Sequence, residues 1–188
     1  MKKRLLFLVG TATLMLGACG GNQTEGNEEP VQTQTAESME DDTVQPTATF
    51  KDGVWESDDY KLTIKKSQII QSKMENSKGI YITYELENKS DQDVVPHDLL
   101  TNFTFTQENE TSRIDLGDNY HFLDAFGDDA DTYNKMIDVE AISTNALLPK
   151  KKVEFFEAYY IDNEKNPVIV TAYDDMMNEI GKYEIKLK

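Results

Sequence analysis

"GIYITYELE", Gly79 to Glu87, alternates its side chains with a period of two: Ile80, Ile82, Tyr84 and Leu86 fall on one face, and Tyr81, Thr83 and Glu85 on the other. Successive side chains of an extended strand point to opposite sides, so the stretch predicts a half-buried strand of an antiparallel sheet. The pattern recurs on both sides of it. "YKLTI" aligns Tyr60, Leu62 and Ile64, "TNFTFTQ" aligns Phe103 with Phe105, and "YEIKLK" aligns Tyr183, Ile185 and Leu187. "VEFFEAYYI" (Val153 to Ile161) and "PVIVTAYD" (Pro167 to Asp174) are more continuously apolar and suit strands nearer the sheet centres.

The segments "ENKSDQD", "QENETS" and "DNEKNP" are rich in Asn, Asp, Ser and Pro and read as the polar turns between strands. Six or seven short strands without intervening amphipathic helices predict an all-β sandwich or barrel over residues 50–188. One region breaks the rhythm. Leu116 to Met136, "LGDNYHFLDAFGDDADTYNKM", is too long for a hairpin loop and is expected to be an insertion or crossover, with a helical turn around Phe122 to Phe126.

"GIYITYELENKS", followed later by "LLPKKKVEFFEAYYIDNEKNPVIVTAYD", resembles the exported Gram-positive lipoproteins whose domain of unknown function is immunoglobulin-like, near the telokin-like sandwiches. The resemblance runs from about Trp55 to the C-terminus and lies in hydrophobic pattern, not in a catalytic motif. It implies an immunoglobulin-like antiparallel β-sandwich. Lys150 follows Pro149 where the family usually has Gly, which bears on the local turn. The cysteine pair of antibody domains is missing, and the one tryptophan, Trp55, precedes the first clear strand.

The chain opens with Lys2, Lys3 and Arg4, continues through an uncharged run from Leu5 to Leu16, and reaches its only cysteine at Cys19. Twelve residues are too few to cross a bilayer, which takes about 20. A basic start, a short apolar run and small residues describe a secretory signal peptide, residues 1–18. Leu16-Gly17-Ala18-Cys19 resembles the lipobox of bacterial lipoproteins, which implies diacylglyceryl transfer to the Cys19 sulfur and cleavage after Ala18. The implied location is the outer face of the cell membrane, with the membrane as a partner through the lipid on Cys19. Residues 19–49 hold seven acids, no Lys or Arg and few large apolar side chains. They are expected to form a disordered tether reaching roughly 30 Å.

From Cys19 onward the chain carries 16 basic and 35 acidic side chains, a balance of −19. Nucleic acid is a poor partner for such a surface, since phosphate binding needs a basic stripe. Cationic ligands, metal ions or basic partner surfaces stay open, while the ordinary reading of such acidity in an exported protein is solubility and distance from a negative cell wall; a protein partner at the cell surface is a further expectation. His97 and His121, with Asp98 and Asp124 nearby, lack metal-ligand spacing and are expected to be solvated or capping residues. The acidic loop 118–131 gathers Asp124, Asp128, Asp129 and Asp131, oxygen ligands of the kind calcium takes. Its spacing fails the EF-hand template, because Tyr133 and Asn134 fall where that loop needs an acidic or amide ligand and then Gly, so no tight calcium site is expected. Neither a nucleophile motif nor a phosphate-cradling glycine loop is present, and no cofactor or enzymatic activity is expected. Met176 and Met177 are expected to cap the open end of the sandwich, with a loop-tip contact surface as the alternative. Phe155, Phe156, Tyr159 and Tyr160 are expected in core and sheet surface.

Two functions therefore stand open: a non-enzymatic surface binding or adaptor domain, and a ligand-binding, calcium-binding or catalytic domain using the acidic loop 118–131.

Overall fold

The computed structural model describes residues 45–187. The expected signal peptide, Cys19 and the tether as far as residue 44 lie outside the described residues. Among the described residues there are nine strands: β1 (Ala48–Lys51), β2 (Val54–Ser57), β3 (Tyr60–Ile70), β4 (Gly79–Asn88), β5 (Phe103–Glu108), β6 (Arg113–Asp115), β7 (Lys152–Tyr160), β8 (Val168–Tyr173) and β9 (Glu179–Ile185). A 3-10 helix covers Pro96–Asn102, and one α-helix, α1, covers Ala130–Thr144. The first strand begins two residues before the Phe50 boundary expected from sequence, with Ala48 already buried.

All pairings are antiparallel. One sheet runs β1-β2-β3-β4-β7 and the other β6-β5-β8-β9, which makes an antiparallel β-sandwich. The β1–β2 hairpin turns on Asp52-Gly53, with φ of 52° and 77°. Two consecutive positive φ values are those of the type I′ turn, whose twist matches the flanking strands. Between the sheets, Ile80, Ile82, Tyr84 and Leu86 of β4 meet Leu62, Phe155, Phe103, Val168 and Val170. Trp55 lies in β2, fully buried, and its indole N–H donates to the Tyr173 carbonyl of the opposite sheet at 3.0 Å.

The other face of β4 departs from the period-two expectation. Tyr81 and Thr83 are buried rather than solvated. A β-bulge at Lys65 shifts the parity of β3, so that Leu62 faces the inter-sheet core while Ile70 faces outward beside Tyr81. Over this outer face a second core forms from Ile70, Tyr81, Tyr120, Phe122, Leu123, Met136 and Ala158. The segment expected to be a crossover thus supplies a lid. Its helix is α1, beginning at Ala130, whereas Phe122 to Phe126 forms a turn with no helix.

Tyr120 seats this lid. Its hydroxyl donates to the Ser77 carbonyl at 3.0 Å and accepts from the Ser72 N–H at 2.9 Å, which closes the β3–β4 loop. Its ring lies against Gly79, so closely that a Cβ there would come within 2.7 Å of ring carbons. Gly79→Ala should push the ring out of its seat and destabilise the domain by about 1–3 kcal/mol, as overpacking does. Chemical denaturation measures the loss; an unchanged midpoint would show that Tyr120 is free to move.

Candidate functional site

The acidic stretch does not converge on a point. Asp129 is the N-cap of α1: its carboxylate accepts from the Thr132 N–H at 2.8 Å and from the Thr132 hydroxyl at 2.8 Å. Those bonds hold its carboxyl below the usual range. Asp128 is ion-paired with Lys73, Asp124 accepts from the Lys73 N–H at 3.0 Å, and Asp131 sits exposed in the first helical turn. Among the described residues, no group of three or more His, Cys, Asp or Glu is placed to share a metal ion.

Of the two histidines, one pairs with a residue remote in sequence and the other stands within ion-pair distance of its sequence neighbour Asp124. His97, in the 3-10 helix, pairs not with Asp98 but with Glu157 of β7, with Nδ1 3.0 Å from Oε2. Glu157 is mostly buried, and burial pushes its carboxyl up, against the opposing bonds from the Ala158 N–H and His97. His121 Nε2 stands 3.8 Å from Asp124 Oδ1, too far for a hydrogen bond. Deeper in, the Tyr84 and Tyr159 hydroxyls meet at 3.3 Å, and burial raises the pKa of both phenols.

Three clefts surround these groups. One of about 300 Å³ opens between the sheets, lined by His97, Phe103, Asp115, Asp118 and Tyr159. A second, about 380 Å³, lies between α1 and β7, where Phe122, Ile137 and Phe156 form the apolar part and Glu140, Glu157 and His97 the polar part. The third, about 370 Å³, lies at the start of α1 against Lys73, Asp124, Asp128 and Tyr133. The last two use Ala130, Tyr133, Ile137, Ala141 and Thr144 of the helix. These residues recur at three- and four-residue spacing, so both clefts follow one side of α1, end to end.

That side keeps apolar surface in water: Tyr133 is 36 % exposed and Ile137 is 42 % exposed, while Phe126, in the turn before the helix, packs edge-on against Tyr81. Met176 and Met177 do not cap the sandwich as expected. They stand out at the tip of the β8–β9 turn, which buried Asp174 holds by accepting from the N–H groups of Met176 and Asn178 and from the Asn178 side chain. Phe155 and Tyr159 are in the inter-sheet core, while Phe156 and Tyr160 pack against the second core. Lys150 takes a positive φ of 59°, the conformation for which Gly is the usual residue, and its ammonium pairs with Asp91 at 3.0 Å.

Two antiparallel sheets with a helical lid make this an all-β sandwich with a third layer on one side. The chain belongs to the family of the domain of unknown function DUF5067, whose pattern matches residues 35–174. A candidate lipoprotein from Staphylococcus aureus shares the fold with a TM-score of 0.60 at 17 % identity, over 76 % of this chain and 94 % of that one. A protein from Enterococcus faecalis, solved by NMR, matches with a TM-score of 0.55 at 15 % identity, over 75 % of this chain and 94 % of its own. No curated protein sequence matches the chain.

The His97–Glu157 pair has a pH signature. Because burial raises the Glu157 carboxyl in the folded protein, the native state binds that proton more tightly than the unfolded chain does. Ionisation therefore costs stability above the folded-state pKa, and the cost disappears below the unfolded value of about 4.3. Glu157→Gln should raise Tm near neutral pH, with the difference closing as pH falls below about 4. A lower Tm at neutral pH would show that the pairing with His97 outweighs burial.

Proposed function

We propose that this chain is an exported lipoprotein, held on the outer face of the cell membrane by lipid on Cys19, whose immunoglobulin-like sandwich binds another macromolecule and is not an enzyme. The observation that carries the binding role is the exposed apolar side of α1, where Tyr133 and Ile137 remain in water although the domain buries apolar residues in two separate cores. Exposed large apolar side chains set together mark interaction surfaces. Two packed antiparallel sheets support the immunoglobulin-like assignment. Support for the anchor comes from the Leu16-to-Cys19 tetrapeptide and from the similarity in fold to a candidate staphylococcal lipoprotein.

In this reading the histidines are structural, His97 pairing with Glu157 and His121 standing 3.8 Å from Asp124. The carboxylates of the acidic loop also serve the fold, as helix cap, ion pair and loop tie.

Mass spectrometry of the mature protein should find Cys19 as its first residue carrying a diacylglyceryl thioether, and Cys19→Ser should move the protein from the membrane fraction to the medium. An unmodified cysteine, or cleavage elsewhere, overturns the anchor. Two acyl chains are needed for stable attachment, since one gives only reversible binding.

A further inference from the structure

We propose that the side of α1 bearing Tyr133 and Ile137 docks a basic polypeptide segment with apolar anchors, lying along the helix; this rests on the binding role proposed above and names the partner's chemistry. Two clefts placed end to end make the seat. Tyr133 lines the one at the start of the helix and Ile137 the one farther along, where Phe122 and Phe156 complete an apolar wall. Residues four apart on a helix stand about one turn from each other, so the two anchor positions are set roughly 6 Å apart. That spacing suits side chains of a polypeptide better than a single small molecule.

Charge decides among occupants. Asp124, Asp128 and Asp129 border the first cleft and Glu140 and Glu157 the second; Asp128 is paired with Lys73 and Glu157 with His97, so the negative charge left facing the groove is that of Asp124, Asp129 and Glu140. Glu140 makes no ion pair among the described residues. Residues 50–188 carry 16 basic and 28 acidic side chains, so a second copy of this chain would bring like charge to the contact. An anionic lipid surface meets the same repulsion. A segment whose Lys or Arg side chains reach the two acidic ends while its apolar residues enter between them satisfies both features of the groove.

The test places a photo-crosslinking amino acid at position 137 of the full chain, and separately at position 176 on the β8–β9 turn, in the cell that makes the protein. Irradiation at position 137 should give an adduct, and its mass-spectrometric sequence should be a segment with more Lys and Arg than Asp and Glu. Asp128→Lys together with Glu140→Lys, both at exposed positions, should cut the adduct yield about tenfold by reversing the charge of both ends, while circular dichroism confirms an unchanged sandwich. An adduct with lipid, with a second copy or with an acidic segment overturns the proposal, as does an adduct indifferent to charge reversal. Adducts at position 176 alone leave the binding role standing and show that the α1 groove is the wrong surface. No adduct at either position counts against both.

Discussion

The first half of β4 has no side that faces water, and the architecture answers that constraint. Ile80, Ile82, Tyr84 and Leu86 go to the inter-sheet core, as in any two-layer sandwich. On the reverse side Tyr81 and Thr83 are equally shielded, which a two-layer sandwich does not provide. A third layer is required, and the chain makes it from the Tyr120-to-Leu123 segment and α1. The bulge at Lys65 serves the same end, since it lets one strand contribute Leu62 to the first core and Ile70 to the second. The position of α1 in turn sets the clefts beside it, while His97 of the 3-10 helix meets Glu157 on the face of β7 that also bears Phe155 and Tyr159.

Buried amides perform a comparable service for the loops. Gln107 of β5 is fully buried and makes four bonds to the β7–β8 connection, donating to the carbonyls of Asn163 and Asn166 and accepting from the N–H groups of Asp162 and Asn163. Asn88, at the end of β4, donates to the carbonyls of Gln92, Leu147 and Leu148 and accepts from Ser90. Each side chain replaces water for backbone groups that turns leave without partners, which is why polar residues can sit in such sites without penalty. The loops at these ends are therefore fixed by the sheets beneath them.

The strands were legible because period-two alternation is a local property, visible in β3, β4, β5 and β9 alike. The lid was less so. Along α1 the inward positions are Thr132, Met136, Val139, Ile142 and Ser143, with Met136 and Val139 on the second core and Ile142 on the first, while Tyr133 and Ile137 point outward; the helical stripe is therefore blurred. A signal was present in Asp129, whose side chain reaches Thr132 as an N-cap, but in sequence it merged with its acidic neighbours and suggested a ligand set. Asp52-Gly53 likewise announces the β1–β2 hairpin, and hence the strand that holds Trp55. The candidate site was the least legible part. Glu157 is 60 residues from His97, and nothing local to either forecasts that they meet.

Trp55 gives the molecule a built-in optical gauge. It is the chain's single tryptophan, and its indole sits between the layers with its N–H on a carbonyl of the opposite sheet. Water reaches that ring only when the sheets part. The helical lid lies on the far side of the first sheet, so lifting α1 would leave the emission blue, while separation of the layers would turn it red. One chromophore thus distinguishes loosening of the outer layer from loss of the sandwich itself, two events of unequal cooperativity in a domain with two cores.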